Sequence, residues 1–140
     1  MPFSPTERTG ATLAHLPRPR PSSSAMPTFD EAAHYDVVRD SVMAEEHIYG
    51  AYAGEGPGVV LCGVTNRRVL LFDRAFPGGR SALTTVPYKS IVSVSYVSRD
   101  DEPIFARTIA IQVGRTFYEI TCRGEEQAAE IHDLITWHLM

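Results

Sequence analysis

The sequence is poor in cysteine and contains no long apolar run. Its two cysteines, Cys62 and Cys122, lie far apart and lack the spacing of a metal site. We expect both to be small, buried, reduced side chains. No window approaches the roughly 20 apolar residues that a membrane span needs, and the N-terminus has no apolar core of a secretory signal. These absences predict a cytoplasmic protein that contacts a membrane peripherally at most.

Motifs for catalysis and for cofactors are missing as well. The five histidines do not have the spacing of a zinc hydrolase, and neither a nucleotide fingerprint nor a nucleophile elbow is present. The acidic run Asp100-Asp101-Glu102 could bind a hard cation, but such a short run is more typical of a solvated turn. We predict that the chain is not an enzyme and holds neither a cofactor nor a metal.

Positive charge is scarce overall, and the net charge of −4 argues against a nucleic-acid partner. Residues 62–123 nevertheless carry nine Lys or Arg against five acids. Residues 27–61 carry one Arg and seven acids, and residues 124–140 carry four acids with no Lys or Arg. The middle of the chain can therefore form a local basic patch but not a strong steering field.

Residues 1–28 are dominated by Pro, Ser, Thr, Gly and Arg and show no periodicity. Such a composition buries too little apolar surface to offset the entropy of ordering, so we predict a disordered tail. Its PRPRP stretch, residues 17–21, is suited to bind a partner as a polyproline II segment. An alternative is that the native protein begins at Met26, where structured-looking sequence starts.

The segment 29–44 is predicted to form an amphipathic helix. Acids follow its start, where the helix dipole favours them. Tyr35, Val38 and Val42 fall on one face at helical spacing. This stripe either packs against the rest of the protein or mediates self-association.

Between residues 47 and 122 the apolar period changes to two, and two hairpins can be placed in register. In the first, Asn66 is expected to adopt the left-handed conformation of a tight turn. That turn pairs Thr65 with Arg68 and Gly63 with Leu70. In the second, Gly114-Arg115 suits a type II′ turn. The pairs predicted there are Val113 with Thr116, Ile111 with Tyr118, Ile109 with Ile120, Ala110 with Glu119, and Gln112 with Phe117.

About seven short strands are followed by one amphipathic helix after Gly124, with an apolar stripe that includes Ile131 and Ile135. No helix alternates with the strands, so the sheet is expected to be antiparallel. Strands of this number curl or close to avoid free edges. We predict an α+β, mainly β fold: a seven-stranded antiparallel barrel or sandwich, capped by the C-terminal helix and carrying an extra N-terminal helix.

The stretch GVVLCGVTNRRVLLFD, followed by VPYKSIVSVSYV, resembles bacterial PH-like domains, especially the YokE-like group, which is related to the GRAM and pleckstrin-homology superfold. Seven residues stand at the matching places: Thr65, Asn66, Arg68, Pro87, Tyr88, Ile91 and Val94. The resemblance covers about residues 45–140 and implies that this part forms one PH-like domain. It implies little about function, because this fold hosts many functions.

Basic residues of the middle segment are candidates for an anion site, since arginine forks recognise phosphate. They are Arg67, Arg68, Arg74, Arg80 and Lys89. The alternative is a solvated hairpin corner at Arg67, with Arg68 laying its stem along the sheet and pairing with an acid. The resemblance also implies a basic first strand loop, but residues 54–58, GEGPG, carry no base.

We predict a non-catalytic binding or assembly module that contacts a protein partner or a second copy of itself. Apolar residues on the two helices and the outer sheet face are the interface candidates: Tyr35, Val38, Val42, Phe117, Trp137 and Leu139. The alternative function is peripheral binding of an anionic lipid or phosphate ligand through the basic middle segment.

Overall fold

The structure of the protein is a computed structural model that describes residues 19–22 and 26–140. Within these ranges the chain forms eight strands, two α-helices and one 3-10 turn. The helices are α1, Ala32–Ser41, and α2, Glu125–Leu139, and the 3-10 turn is Tyr88–Ser90. The strands are β1 Thr28–Phe29, β2 Ile48–Ala53, β3 Val59–Thr65, β4 Arg68–Phe76, β5 Arg80–Pro87, β6 Ile91–Val97, β7 Thr108–Val113 and β8 Thr116–Thr121.

The strands form two sheets. Sheet A has the order β1-β2-β3-β4-β5, and sheet B has the order β6-β7-β8. Neighbouring strands are antiparallel except for β1, which runs parallel to β2. Within the described ranges β5 does not pair with β6, so the molecule is a sandwich and not the closed barrel that was the other expected form. The predicted fold class, mainly β with a helix at each end, is confirmed.

Both predicted hairpin registers are confirmed. Gly63 lies opposite Leu70 in the β3–β4 hairpin, and all five predicted pairs occur in the β7–β8 hairpin. Gly114 has a φ of 61°, which glycine adopts without a steric cost. A type II′ turn requires this conformation at its first central residue, so turn chemistry and register agree.

The conformation expected of Asn66 is wrong. Neither Asn66 nor Arg67 has a positive φ. The turn is held by a side chain instead, because the Thr65 hydroxyl accepts the N–H groups of Arg67 and Arg68, each at 3.1 Å. Asn66 fastens the chain ahead of β2: its Oδ1 accepts the His47 N–H at 2.8 Å, and its own N–H donates to the His47 carbonyl at 2.9 Å.

The main core lies between the two sheets and beneath α2. Its fully buried side chains include Leu71, Ile109, Ile111, Ile120, Ile131 and Ile135. Cys62 and Cys122 belong to this core with no exposed surface, which confirms the burial predicted for both thiols. The Tyr52 hydroxyl donates to Glu130 Oε2 at 2.6 Å and so fastens α2 to β2.

A second apolar cluster lies on the outer face of sheet A, beneath α1. Val38 of α1 is buried against sheet residues that include Leu61 and Leu70. Gly63 makes this approach possible, because a Cβ atom at this position would lie 2.7 Å from Val38 Cγ2. Sheet A is therefore the middle layer of the molecule, with α1 on one face and sheet B on the other.

The N-terminal segment differs from expectation at its ends. The helix predicted over residues 29–44 spans Ala32–Ser41, because Phe29 belongs to β1 and Val42 is extended, with a ψ of 154°. The tail predicted over residues 1–28 falls largely on residues 1–18 and 23–25, which lie outside the described ranges. No helix of the described residues has the length and apolar character needed to cross a membrane.

Candidate functional site

The basic residues expected to form an anion site lie at opposite ends of the β4–β5 hairpin. Arg67 and Arg68 are at the start of β4, and Lys89 follows the end of β5. Arg74 and Arg80 lie at the far end, near the β4–β5 turn. Arg74 lies six residue steps along β4 from Arg68, which corresponds to about 20 Å at about 3.3 Å per step. The five side chains therefore do not converge on one site.

Arg68 is engaged by the protein itself. Its Nε donates to Glu46 Oε2 at 2.9 Å, and one terminal nitrogen lies 3.0 Å from Glu46 Oε1. The guanidinium also donates to the Ser41 carbonyl and to the Thr85 hydroxyl, both at 2.8 Å. This arrangement agrees with the alternative predicted for Arg68, in which its aliphatic chain lies along the sheet and its guanidinium pairs with an acid.

The Glu46 carboxylate is ionised and almost fully enclosed, with 2% of its side chain exposed. Burial alone would raise its pKa, but hydrogen bonds from Arg68, from the Thr65 hydroxyl and from the Met43 N–H lower the pKa to about 2. The hydrogen bond to Glu46 raises the pKa of Arg68 in turn. The pair is therefore charged at any ordinary pH and ties the end of α1 to β4 and β5.

The remaining cations do not build an anion cradle. Arg80 folds back on its own turn, where its Nε donates to the Pro77 carbonyl at 2.9 Å and its guanidinium lies 5.2 Å from the Phe76 ring centroid. Arg67 and Lys89 are both exposed and sit at the same end of the sandwich. Of the five candidates, these two are the solvated cations at that end.

The acidic run at residues 100–102 forms part of the loop between β6 and β7. All three acids are exposed, and Glu102 accepts the Arg99 N–H at 2.9 Å. Within the described ranges no group of three or more His, Cys, Asp or Glu side chains is arranged to hold a metal ion.

The interface candidates divide into internal and external residues. Tyr35, Val38 and Val42 belong to the cluster beneath α1, so this stripe packs against sheet A. Val38 in particular is 1% exposed and offers no surface to a partner. Phe117 is 59% exposed on the outer face of sheet B, and Trp137 is half-buried at the end of α2. Leu139 is exposed beside it, in the same last turn.

Trp137 lines a groove of about 640 Å³ at one end of the sandwich. The other walls are Tyr49 of β2, Asn66 of the β3–β4 turn, His138 of α2, and residues 20–22 of the N-terminal segment. Three separate elements of the domain thus meet a short piece of the same chain. We call this feature the α2 groove.

Stacked aromatic rings support one wall of the α2 groove. His138 stacks on Tyr88 with a centroid distance of 4.1 Å and an interplanar angle of 4°, and Tyr49 lies 5.7 Å from the same imidazole. His138 Nδ1 lies 2.7 Å from the Leu134 carbonyl, so this nitrogen carries the proton. Burial raises the pKa of Tyr88, whose hydroxyl donates to the Thr65 carbonyl.

One wall of the α2 groove, the last turn of α2, favours a cation. Helix α2 carries four acids and no Lys or Arg, and Trp137 and His138 lie in its last turn, at the negative end of the helix dipole. The guanidinium carbon of Arg20 lies 6.0 Å from the centroid of the Trp137 ring, which is the distance of a cation–π contact.

Sequence reasoning reached only part of this site. Trp137 was a candidate and residues 17–21 were expected to act as a ligand segment, but Tyr49 and His138 were missed. Both are isolated aromatic residues with no motif around them. Their proximity arises from the packing of α2 across the start of β2, which no local pattern encodes.

Comparison with known proteins adds a family. The family model described as a bacterial PH domain matches residues 42–136. Among solved structures, the pleckstrin homology domain from Shewanella amazonensis SB2B is similar to this chain at 15% sequence identity, with a TM-score of 0.49. The match covers 74% of this chain and 95% of that one. No curated protein matches the sequence.

Proposed function

The chain belongs to the bacterial PH domain family, and from that premise we propose that it is a non-catalytic protein-binding module whose α2 groove binds an extended segment of a partner. The observation that carries this proposal is the packing of Arg20 over the Trp137 ring, with residues 20–22 forming one wall of the groove. A surface that packs against one segment of the chain in this way has the chemistry to bind a segment of another protein.

The chemistry of the walls supports peptide binding. Trp137, Tyr49 and His138 provide apolar surface with polar edges, a combination that is frequent where proteins recognise peptides. Asn66 uses its Oδ1 for the His47 N–H, so its amide NH2 is the group left to donate to a peptide carbonyl. The volume of about 640 Å³ lies within the range of small-molecule and peptide sites. The two buried, reduced thiols support a cytoplasmic location for this module.

The proposal is tested by titrating the full-length protein, labelled with ¹⁵N, with a panel of eight-residue peptides. The panel contains proline-rich basic, proline-rich acidic and proline-free sequences. We expect at least one class to shift the amide signals around Tyr49, Asn66 and His138. Trp137→Ala should abolish these shifts, whereas Phe117→Ala, which removes an exposed aromatic ring elsewhere, should leave them. No shifts with any peptide, or shifts that survive Trp137→Ala, would refute the proposal.

A second candidate function, self-association, is favoured by the outer edge of β5. Pro87 has no N–H to give to β4 and lies opposite Arg68. The hydrogen bonds to β4 therefore come from the residues that alternate with it, such as Val86 and Thr84. The N–H groups of Thr85 and Leu83 then point away from β4, to the outer edge of the sheet. No other strand of the described ranges pairs along that edge. Such an edge can accept a strand from a second copy.

Light scattering across a concentration series tests this second function. The wild-type protein is expected to shift toward a dimer as its concentration rises. Leu83→Pro removes an outward N–H without touching the bonds to β4, and should give a monomer. Leu83→Ala keeps the N–H and is the matched control. A strictly monomeric wild-type protein would exclude self-association.

A further inference from the structure

Resting on the proposed function, we infer that the surface around Trp137 selects a segment in which an arginine lies between prolines, and that residues 19–22 cover this surface in the free protein, with Arg20 over Trp137 and residues 20–22 as one wall of the groove. The chain's own segment is then a tethered competitor of any partner. This assigns both a ligand class to the groove and a regulatory role to the N-terminal segment.

The cationic part of the ligand is set by Arg20. Its guanidinium lies over the Trp137 ring, and α2 supplies both its negative dipole end and a net acidic sequence. Asp133 lies one helical turn before Trp137 and is paired with His132, whose Nδ1 is 3.0 Å from its Oδ1. Exposed Arg67 and Lys89 lie at the same end of the sandwich, so the preference for a cation arises from the face of the Trp137 ring.

The prolines set the shape of the ligand. Pro19 and Pro21 flank Arg20, and a proline both fixes its own φ and restricts the preceding residue to extended backbone. A segment of this kind is already close to polyproline II before it binds, so it loses little conformational entropy on binding. Residues 17–21 repeat the Arg-Pro unit, which offers the groove two registers.

The tether that holds the segment near the groove begins at β1. Thr28 pairs with Gly50, and Asp30 Oδ2 accepts the Ala53 N–H at 2.6 Å, so this part of the chain is fixed to β2. Five residues of chain lie between Ser22 and Thr28. A tether of that length gives an effective concentration on the order of 1 mM, and a partner must overcome it to enter the groove.

The experiment compares peptide affinity between full-length variants. The probe is a blocked peptide with the sequence of residues 16–23, LPRPRPSS, and the readout is the fluorescence of Trp137, the one tryptophan of the chain. Arg20→Ala weakens the internal competitor, and we expect it to bind the probe roughly tenfold more tightly than the wild type does. Arg115→Ala, which removes an exposed arginine from the β7–β8 turn, should bind it as the wild type does. Trp137 emission should also shift to the red in Arg20→Ala, because without the Arg20 guanidinium the indole ring is more exposed to water.

The outcomes separate this inference from the proposed function. Equal affinity of the wild type and Arg20→Ala for the probe overturns occupation by the chain's own segment, while peptide binding in the groove stands. Binding of other panel peptides but not of the probe by Arg20→Ala overturns the ligand class. Failure of every peptide to bind either protein overturns the proposed function itself.

Discussion

Glu46 and Arg68 form a buried ion pair with two contacts, in which Nε lies 2.9 Å from Oε2 and a terminal nitrogen lies 3.0 Å from Oε1. The pair joins the loop before β2 to the β3–β4 hairpin, and the same guanidinium reaches the end of α1 and β5. Arg68 is thus a structural residue of the hairpin, and its neighbour Arg67 is the solvated one.

The first prediction concerns the pH dependence of this pair. The pKa of Glu46 is about 2 in the folded protein, below its ordinary value of 4.5. The stability that the carboxylate contributes is therefore present above pH 4.5 and is lost as the pH falls toward 2. Glu46→Gln should lower the free energy of unfolding at pH 7 by an amount on the order of 3 kcal/mol, because it leaves the Arg68 charge buried without its partner.

Urea unfolding of the wild type and of Glu46→Gln at several pH values measures this effect. The difference between the two proteins should shrink steadily between pH 4.5 and pH 2.5. Glu45→Gln, a neighbouring exposed acid, is the matched control and should follow the wild type. A difference that stays constant over that range contradicts the proposed role of the Glu46 charge.

The second prediction concerns the contact between Gly63 and α1. Gly63→Ala places a Cβ 2.7 Å from Val38 Cγ2, so we expect it to destabilise the fold by about 1–3 kcal/mol through overpacking. Val38→Ala removes the opposing methyl groups and leaves a cavity of its own. The double variant should lose less stability than the sum of the single losses, since the two sites share one contact. Strict additivity in chemical unfolding would show that the two residues do not compete for space.

The third prediction separates the two readings of Asn66. A left-handed turn residue would be replaced by glycine without loss. The side-chain role described above predicts the opposite: Asn66→Gly leaves the His47 N–H without its acceptor, and the cost is about 1–2 kcal/mol. Amide hydrogen exchange at His47 should accelerate in the same variant. Unchanged stability and unchanged exchange would show that the Asn66 side chain is not needed, as expected for a residue that serves only as a left-handed turn position.

The fourth prediction concerns anionic ligands. Only Arg67 and Lys89 among the five basic candidates are exposed cations at one end of the sandwich, and two such charges contribute about 2 kcal/mol at an anionic membrane. Vesicles containing anionic lipid should therefore bind the protein weakly at low salt and release it at physiological salt. Arg67→Ala with Lys89→Ala should remove the weak binding, whereas Arg74→Ala with Arg80→Ala should not. Tight sedimentation with vesicles at physiological salt would favour the anionic-ligand function.

Register and fold class were predictable from the sequence because they depend on local signals. Gly114 fixes one turn, and the alternation of apolar residues fixes which face of each strand is buried. The same local logic failed at Asn66, because the hydroxyl of Thr65 took over the turn. A side chain can hold a turn that backbone conformation would otherwise have to make, as the Thr65 hydroxyl does by accepting the N–H of Arg67, two positions later.

The α2 groove was beyond sequence reasoning for a different reason. Tyr49 and His138 of the groove lie far apart in the sequence. Their separation is greater than that of Glu46 and Arg68, the two residues of the ion pair, which are 22 residues apart. Nothing in a short window records which distant residues a folded sheet brings together. The PRPRP stretch was visible as a ligand-like segment, but its receptor on the same chain was not.

The parallel strand β1 has a consequence for how copies of the chain can associate. It covers the β2 edge of sheet A, and β5 is the other edge strand of that sheet. A pair of molecules joined β5 to β5 around a two-fold axis uses the free edge of each sheet A. Within the described ranges the other edge of sheet A is β1, which has only two residues, and so short an edge strand is a poor template for a further copy.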